Sequence, residues 1–128
     1  MASQFDIDLP IGQAREELVK QLLTDVVGVK IEVKTDFKVS DTGNVAIEYE
    51  CRGKPSGISI TQADWWAIVL DGDRFSSEVI VLIKTDRLKG IARKHFVLGK
   101  VVSGGDDNVS KMVLVPVIEL IESAQGDP

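Results

Sequence analysis

The chain predicts a single mixed α/β domain with a partly antiparallel central sheet, and three observations predict it. Apolar residues recur at helical spacing over residues 13–23, two period-two runs follow, and Thr85-Asp86 caps a further helix. One run, Trp65-Trp66-Ala67-Ile68-Val69-Leu70, is wholly apolar, as a strand buried on both faces is. The resulting order of helix, hairpin, short helix, buried strands and helix is that of a central mixed sheet flanked by helices. At 128 residues and 44% hydrophobic content, one domain over 1–128 can bury a substantial core, and two cannot.

Asp8-Leu9-Pro10-Ile11-Gly12 reads as an irregular entry. Over residues 13–23, Ala14, Leu18 and Leu22, flanked by Val19 and Leu23, form an apolar helical stripe with Glu16 and Glu17 at its edges. Acids in a first helical turn also simply favour the helix dipole. Residues 24–28 form a connector, with Gly28 for a tight bend and Asp25 just ahead of the next strand, where it also fits an ordinary turn.

In that strand Val29, Ile31 and Val33 alternate with Lys30, Glu32, Lys34 and Asp36, so one face is charged throughout. Glu32 and Lys34 stand roughly 6.6 Å apart along it. A carboxylate able to hold a divalent cation, with an ammonium close by, is what a phosphodiester-cleaving site needs. The same alternation also describes an ordinary half-solvated strand.

Residues 44–52 form a second strand, with Val45, Ile47, Tyr49 and Cys51 on one side and Ala46, Glu48, Glu50 and Arg52 on the other. The two strands read as a hairpin; with its midpoint near residue 40 Glu32 faces Glu48, a like-charge pairing a bound cation would relieve, and a slip of two residues sets it beside Ala46 or Glu50 instead. Arg52 leads into Gly53-Lys54-Pro55-Ser56-Gly57, a basic, glycine-bearing loop that can approach a phosphate; Arg52, Lys54 and Ser56 are candidate DNA contacts. Thr61 and Asp64 read as a capping box opening a short helix before the apolar run, and Asp71-Gly72-Asp73 turns the chain.

Residues 78–84 form another strand, and Thr85-Asp86 caps a helix running to residue 94 or 95. That helix carries Arg87, Lys89, Arg93 and Lys94, the densest basic cluster; Arg93 and Lys94 are candidate contacts to a DNA backbone, on a face that solvent alone would also suit. His95 has no second His or Cys at ligand spacing, which excludes a zinc site and a Cys-His nucleophile pair. Residues 103–108 read as a loop, 111–117 as a final strand and 118–124 as a terminal helix.

The balance of 15 basic against 20 acidic residues, net −5, argues against an indiscriminate electrostatic grip on nucleic acid. Cys51, alone, excludes an internal disulfide and fits a reducing cytoplasm. Met1-Ala2-Ser3-Gln4-Phe5-Asp6 has neither region of a signal peptide, and no apolar run spans a bilayer, so a soluble intracellular protein without a membrane partner is expected.

Gly12-x3-Glu16 on a helix, Asp25 ahead of a strand and Glu32-x-Lys34 within it resemble the PD-(D/E)xK nuclease superfamily. Thr42-Gly43-Asn44-Val45-Ala46-Ile47-Glu48-Tyr49-Glu50, Arg52-Gly53-Lys54-Pro55-Ser56-Gly57-Ile58 and Thr61-x-Ala63-Asp64-Trp65-Trp66 look like its small phage-borne members, and the layout is similar to archaeal Holliday junction resolvases. The resemblance covers residues 8–71. It implies a restriction-endonuclease-like core and a Mg²⁺- or Mn²⁺-dependent DNA endonuclease, structure-selective for branched or junction DNA, acting inside a host cell as a dimer or tetramer. Asp25 and Glu32 would ligate the metal, with the carbonyl of Val33 completing the site. Glu16 would hold a second ion or orient a water, and Lys34 would activate that water or neutralise transition-state charge. Two departures leave alternatives open. Thr24 stands where the family has proline, and only six residues separate Asp25 from Glu32, so Asp36 or Glu48 can replace Asp25 as a ligand, and Glu17 can replace Glu16. The competing expectations are a catalytically weak nucleic-acid-binding or assembly module, and an interaction domain using an exposed Trp65-Trp66.

Overall fold

The computed structural model describes residues 13–72 and 79–124. The predicted entry over 8–12, the last residue of the turn at 71–73 and Glu78 lie outside the described residues. The elements follow as α1 (Gln13–Val27), β1 (Ile31–Asp36), α2 (Val39–Thr42), β2 (Asn44–Cys51), β3 (Lys54–Pro55), β4 (Trp65–Leu70), β5 (Val79–Lys84), α3 (Thr85–Val97), β6 (Val101–Gly104), β7 (Ser110–Pro116) and α4 (Val117–Ala124). The fold is mixed α/β, with two sheets and four helices. No helix among the described residues is long and apolar enough to cross a membrane.

The first sheet has the order β1-β4-β5, with β1 parallel to β4 and β5 antiparallel to it. The second has the order β3-β2-β7-β6, all antiparallel. The expected hairpin between β1 and β2 is therefore absent. Residues of the apolar β4 run lose nearly all contact with water, and seating that strand beside β1 removes more apolar surface than the half-polar β2 would. Between β1 and β2, α2 buries Val39 and Ser40, and Gly43 ends it at φ +74°, so β2 departs toward β7. Glu32 accordingly lies opposite Trp66, and Glu48 opposite Met112; no like-charge ladder forms.

One core serves both sheets. Trp66, Ile68, Val81 and Ile83 from the first sheet meet Val45, Ile47, Val113 and Val115 from the second, closed by Leu88 and Ile91 of α3 and Leu120 of α4. The buried positions of α3, Leu88, Ile91, Ala92 and His95, recur at three- and four-residue steps, so a single stripe faces inward. Trp66 is buried and Trp65 half-buried under the Lys84 ammonium, 5.8 Å from its ring centre, so the pair does not form the exposed aromatic patch that an interaction domain would use.

Four further expectations change. No helix follows Thr61: Asp64 instead accepts from the Lys30 amide at its side chain (3.2 Å) and donates its own amide to the Lys30 carbonyl (2.8 Å), which joins the start of β4 to β1. Arg52 and Gly53, at φ +53° and +78°, make the two-residue turn of a small hairpin between β2 and β3 where a plain loop was expected. The four-residue edge strand β6 takes residues 101–104, into which the predicted loop reached. The stripe of α1 also divides: Val19 and Leu23 are half-buried, while Ala14, Leu18 and Leu22 stay exposed.

Candidate functional site

β1 is the strand on which the predicted residues meet. Alternation puts Glu32, Lys34 and Asp36 on one of its sides and Val33 and Thr35 on the other. Lys34 Nζ stands 3.3 Å from Glu32 Oε2, a pair still largely in solvent and so of little weight for stability, at most about 1 kcal/mol. Thr35 Oγ1 donates to Glu16 Oε2 at 2.8 Å, which draws the first turn of α1 against the strand. Glu16, Glu17, Lys20, Glu32 and Val33 then line an open depression of ≈ 590 Å³. The structure thus brings Glu16, Glu32, Val33 and Lys34 to one strand, and Glu17 lines the same depression.

Asp25 does not join them. The predicted connector is helix: α1 continues to Val27, and Gly28 closes it at φ +73° with its amide on the Thr24 carbonyl. Nine residues separate Asp25 from Glu16, about 13.5 Å along the axis and half a turn around it. Its carboxylate instead accepts from Gln21 Nε2 at 2.6 Å on its own helix.

A second depression, of ≈ 150 Å³, opens where the end of β1 approaches β2, with Lys34, Asp36, Ala46, Glu48, Gly57 and Trp66 in its wall. Asp36 builds it: Oδ1 accepts from the Lys38 amide (3.0 Å) and Oδ2 from the Ala46 amide (2.9 Å), so one carboxylate ties the two sheets together. The sequence signal for this role was an aspartate ending the charged series two residues before a free amide, the pattern of an Asx turn. Gly57, at φ +54°, folds the loop after β3 onto Glu48; a Cβ there would lie 2.2 Å from the Glu48 carbonyl oxygen. Trp66 Nε1 and the neighbouring loop's Ser56 Oγ are buried donors with no hydrogen-bond partner among the described residues.

The donors around β1 are carboxylate and carbonyl oxygens, the set a hard divalent cation takes. Among the described residues no three of His, Cys, Asp and Glu come together as a metal cage. Mg²⁺ uses one or two carboxylates and completes its shell with water and substrate phosphate, so a pair such as Asp36 and Glu48 fits that manner of binding.

The basic candidates separate as well. Arg52 and Lys54 are exposed at the β2–β3 turn, and Ser56 is half-buried. Lys94 is paired with Glu119 of α4 and is not a free contact for phosphate; Arg93 stays exposed. His95, half of a latch that sequence reasoning missed, donates from Nε2 to Glu119 Oε1 at 2.7 Å, the donor role that a carboxylate acceptor requires.

Compared with family models, with curated proteins and with solved structures, the chain matches none. The reading of the site therefore rests on its own geometry.

The latch carries a pH dependence. The Lys94 ammonium holds the Glu119 carboxyl below its ordinary value of 4.5, partial burial opposing it and His95 adding to it. A depressed folded value stabilises the fold above the ordinary carboxylate range and ceases to do so as pH falls through it. Thermal melts of wild type and Glu119→Gln are expected to differ by a constant amount above about pH 5.5 and to converge in stronger acid; parallel curves across the whole range would remove Glu119 from the docking of α4.

Proposed function

We propose that the protein is a metal-dependent DNA endonuclease whose centre is the cleft between β1 and β2. The observation that supports this is the meeting of two acids from separate strands with one lysine: Lys34 lines the cleft together with Asp36 of β1 and Glu48 of β2. Relative to the sequence expectation, Asp36 and Glu48 take the ligand places given to Asp25, Glu32 and Val33, Lys34 keeps its own, and Glu16 stays with Glu32 and Val33 in the neighbouring depression.

Asp36 and Glu48 would hold Mg²⁺ or Mn²⁺. When bound, the ion polarises a phosphoryl oxygen and lowers the pKa of a water. Lys34 would offset the charge that develops on the phosphate and orient the attacking water. The unpartnered Trp66 Nε1 suits an anionic oxygen at the cleft wall. Arg52 and Lys54, on the turn beside Gly57, would meet the DNA backbone. A dimer or tetramer would present two such clefts to two strands of a branched substrate.

Purified protein incubated with junction, nicked, single-stranded and duplex DNA in Mg²⁺ or Mn²⁺ is expected to cleave branched DNA, and Lys34→Ala to abolish that cleavage. Cleavage of none of them, or undiminished cleavage by the variant, would overturn the proposal. The net charge of −5 and the six-residue spacing between Asp25 and Glu32 leave, as a second reading, a binding module without turnover. Calorimetry showing DNA affinity but no Mn²⁺ binding would select it.

A further inference from the structure

We propose that the depression between α3 and β2 is a nucleotide pocket that takes one unpaired base and its phosphate. It has a volume of ≈ 360 Å³, with Tyr49, Ile58, Val113 and Phe96 supplying apolar wall and Lys89 and Arg93 supplying charge. None of the acids of the β1–β2 cleft lines it, so it is a separate site.

α3 has two unlike basic faces. On one, Arg87 donates to the Ser123 carbonyl at 2.6 Å and Lys94 pairs with Glu119, so both cations are taken up by α4. On the other, Lys89 and Arg93 stand four residues apart, on neighbouring turns, with Phe96 three residues further on. Neither makes an ion pair with a described residue. In a chain of net charge −5, two uncompensated cations beside aromatic wall select a ligand that is anionic at one end and flat and apolar at the other.

The aromatic side is prepared for such a ligand. Phe96 meets Tyr49 edge to face, ring centres 5.3 Å apart at 79°, which orients its ring, yet the residue remains 49% exposed. An unstacked base covers an open aromatic ring, and a guanidinium close by grips the attached phosphate through paired N–H donors. Inorganic phosphate alone would leave Phe96 in water. An apolar peptide would bury Lys89 and Arg93 without a countercharge.

Fluorescence anisotropy in EDTA, where no cleavage occurs, tests the pocket independently of the metal site. A labelled short single-stranded oligodeoxynucleotide is titrated against wild type, Phe96→Leu, and Lys89→Gln with Arg93→Gln. Tight oligonucleotide binding is expected, weakened roughly tenfold by Phe96→Leu and by the double variant. Neutralising that one phosphate, the pocket should lose roughly two- to threefold in affinity between about 50 and 200 mM salt. Competition by dTMP would assign the pocket to a free nucleotide, and competition only by oligonucleotide to a strand; either outcome supports it. Equal affinity for a strand lacking bases, or no effect of Phe96→Leu in a variant whose melting is unchanged, would overturn it, as would failure of wild type to bind both probes.

Discussion

Glu48→Gln is expected to lower the rate of Mg²⁺-dependent DNA cleavage by roughly 10²–10³, the cost of removing one preorganised electrostatic group from a phosphoryl-transfer site. The substitution keeps the shape of the side chain and removes its charge. Glu48 is half-buried in the wall of the β1–β2 cleft and its carboxylate holds no backbone amide among the described residues, so the melting temperature should stay where it is. Asp36→Asn is a less clean probe. Its two oxygens accept from the Lys38 and Ala46 amides, and an Asn amide nitrogen would face one of them donor to donor. That leaves a main-chain N–H without an acceptor, about 1–3 kcal/mol of destabilisation on top of any catalytic loss. Asp25→Asn, by contrast, disturbs only a hydrogen bond to Gln21 within α1 and should leave cleavage within about twofold of wild type. Initial rates on a branched substrate, with melting curves alongside, separate these. An inactive Asp25→Asn beside a fully active Glu48→Gln would return the metal to the C-terminal half of α1.

The contrast between Asp25 and Asp36 also marks how far the sequence could be read. Period-two alternation located β1 and β2, apolar runs located β4 and β5, helical spacing located α1 and a capping pair located α3, because each of these patterns is local. Partnering is not local. Nothing in the alternation of β1 says that its neighbour is the apolar β4 run, 34 residues on in register, instead of the strand that follows it. The capping signal at Thr61 failed for the same reason: Asp64, which would have reached back to it, is bonded to Lys30 and Thr85, while Thr61 Oγ1 accepts from the Ala63 amide. The faces on which Glu16, Glu32 and Lys34 stand were legible because strand and helix periods fix them. The Lys94–Glu119–His95 latch was not, since it joins helices whose docking only the fold decides.

Gly57→Ala should be the most damaging small substitution in the second sheet. Gly57 has φ +54°, where a β-carbon costs about 1–2 kcal/mol. That β-carbon would also lie 2.2 Å from the Glu48 carbonyl oxygen and 2.9 Å from its carbon, backbone atoms that cannot rotate away. Displacing them strains the stretch of β2 that pairs with β7 at Met112, a further 1–3 kcal/mol or so. The sum, about 2–5 kcal/mol, corresponds to a fall in melting temperature of the order of 10 °C. Gly53→Ala is the control: it has the same sign of φ, at +78°, but nothing lies within 4 Å of its β-carbon, so only the conformational part of the cost applies. The difference between the two melts isolates the contact with Glu48. Because that contact also sets where the Glu48 side chain leaves β2, Gly57→Ala protein that is still folded at the assay temperature should lose cleavage, whereas Gly53→Ala should retain it. Equal melting of the two variants would mean that the loop does not press on β2, and the wall of the cleft would then need another support.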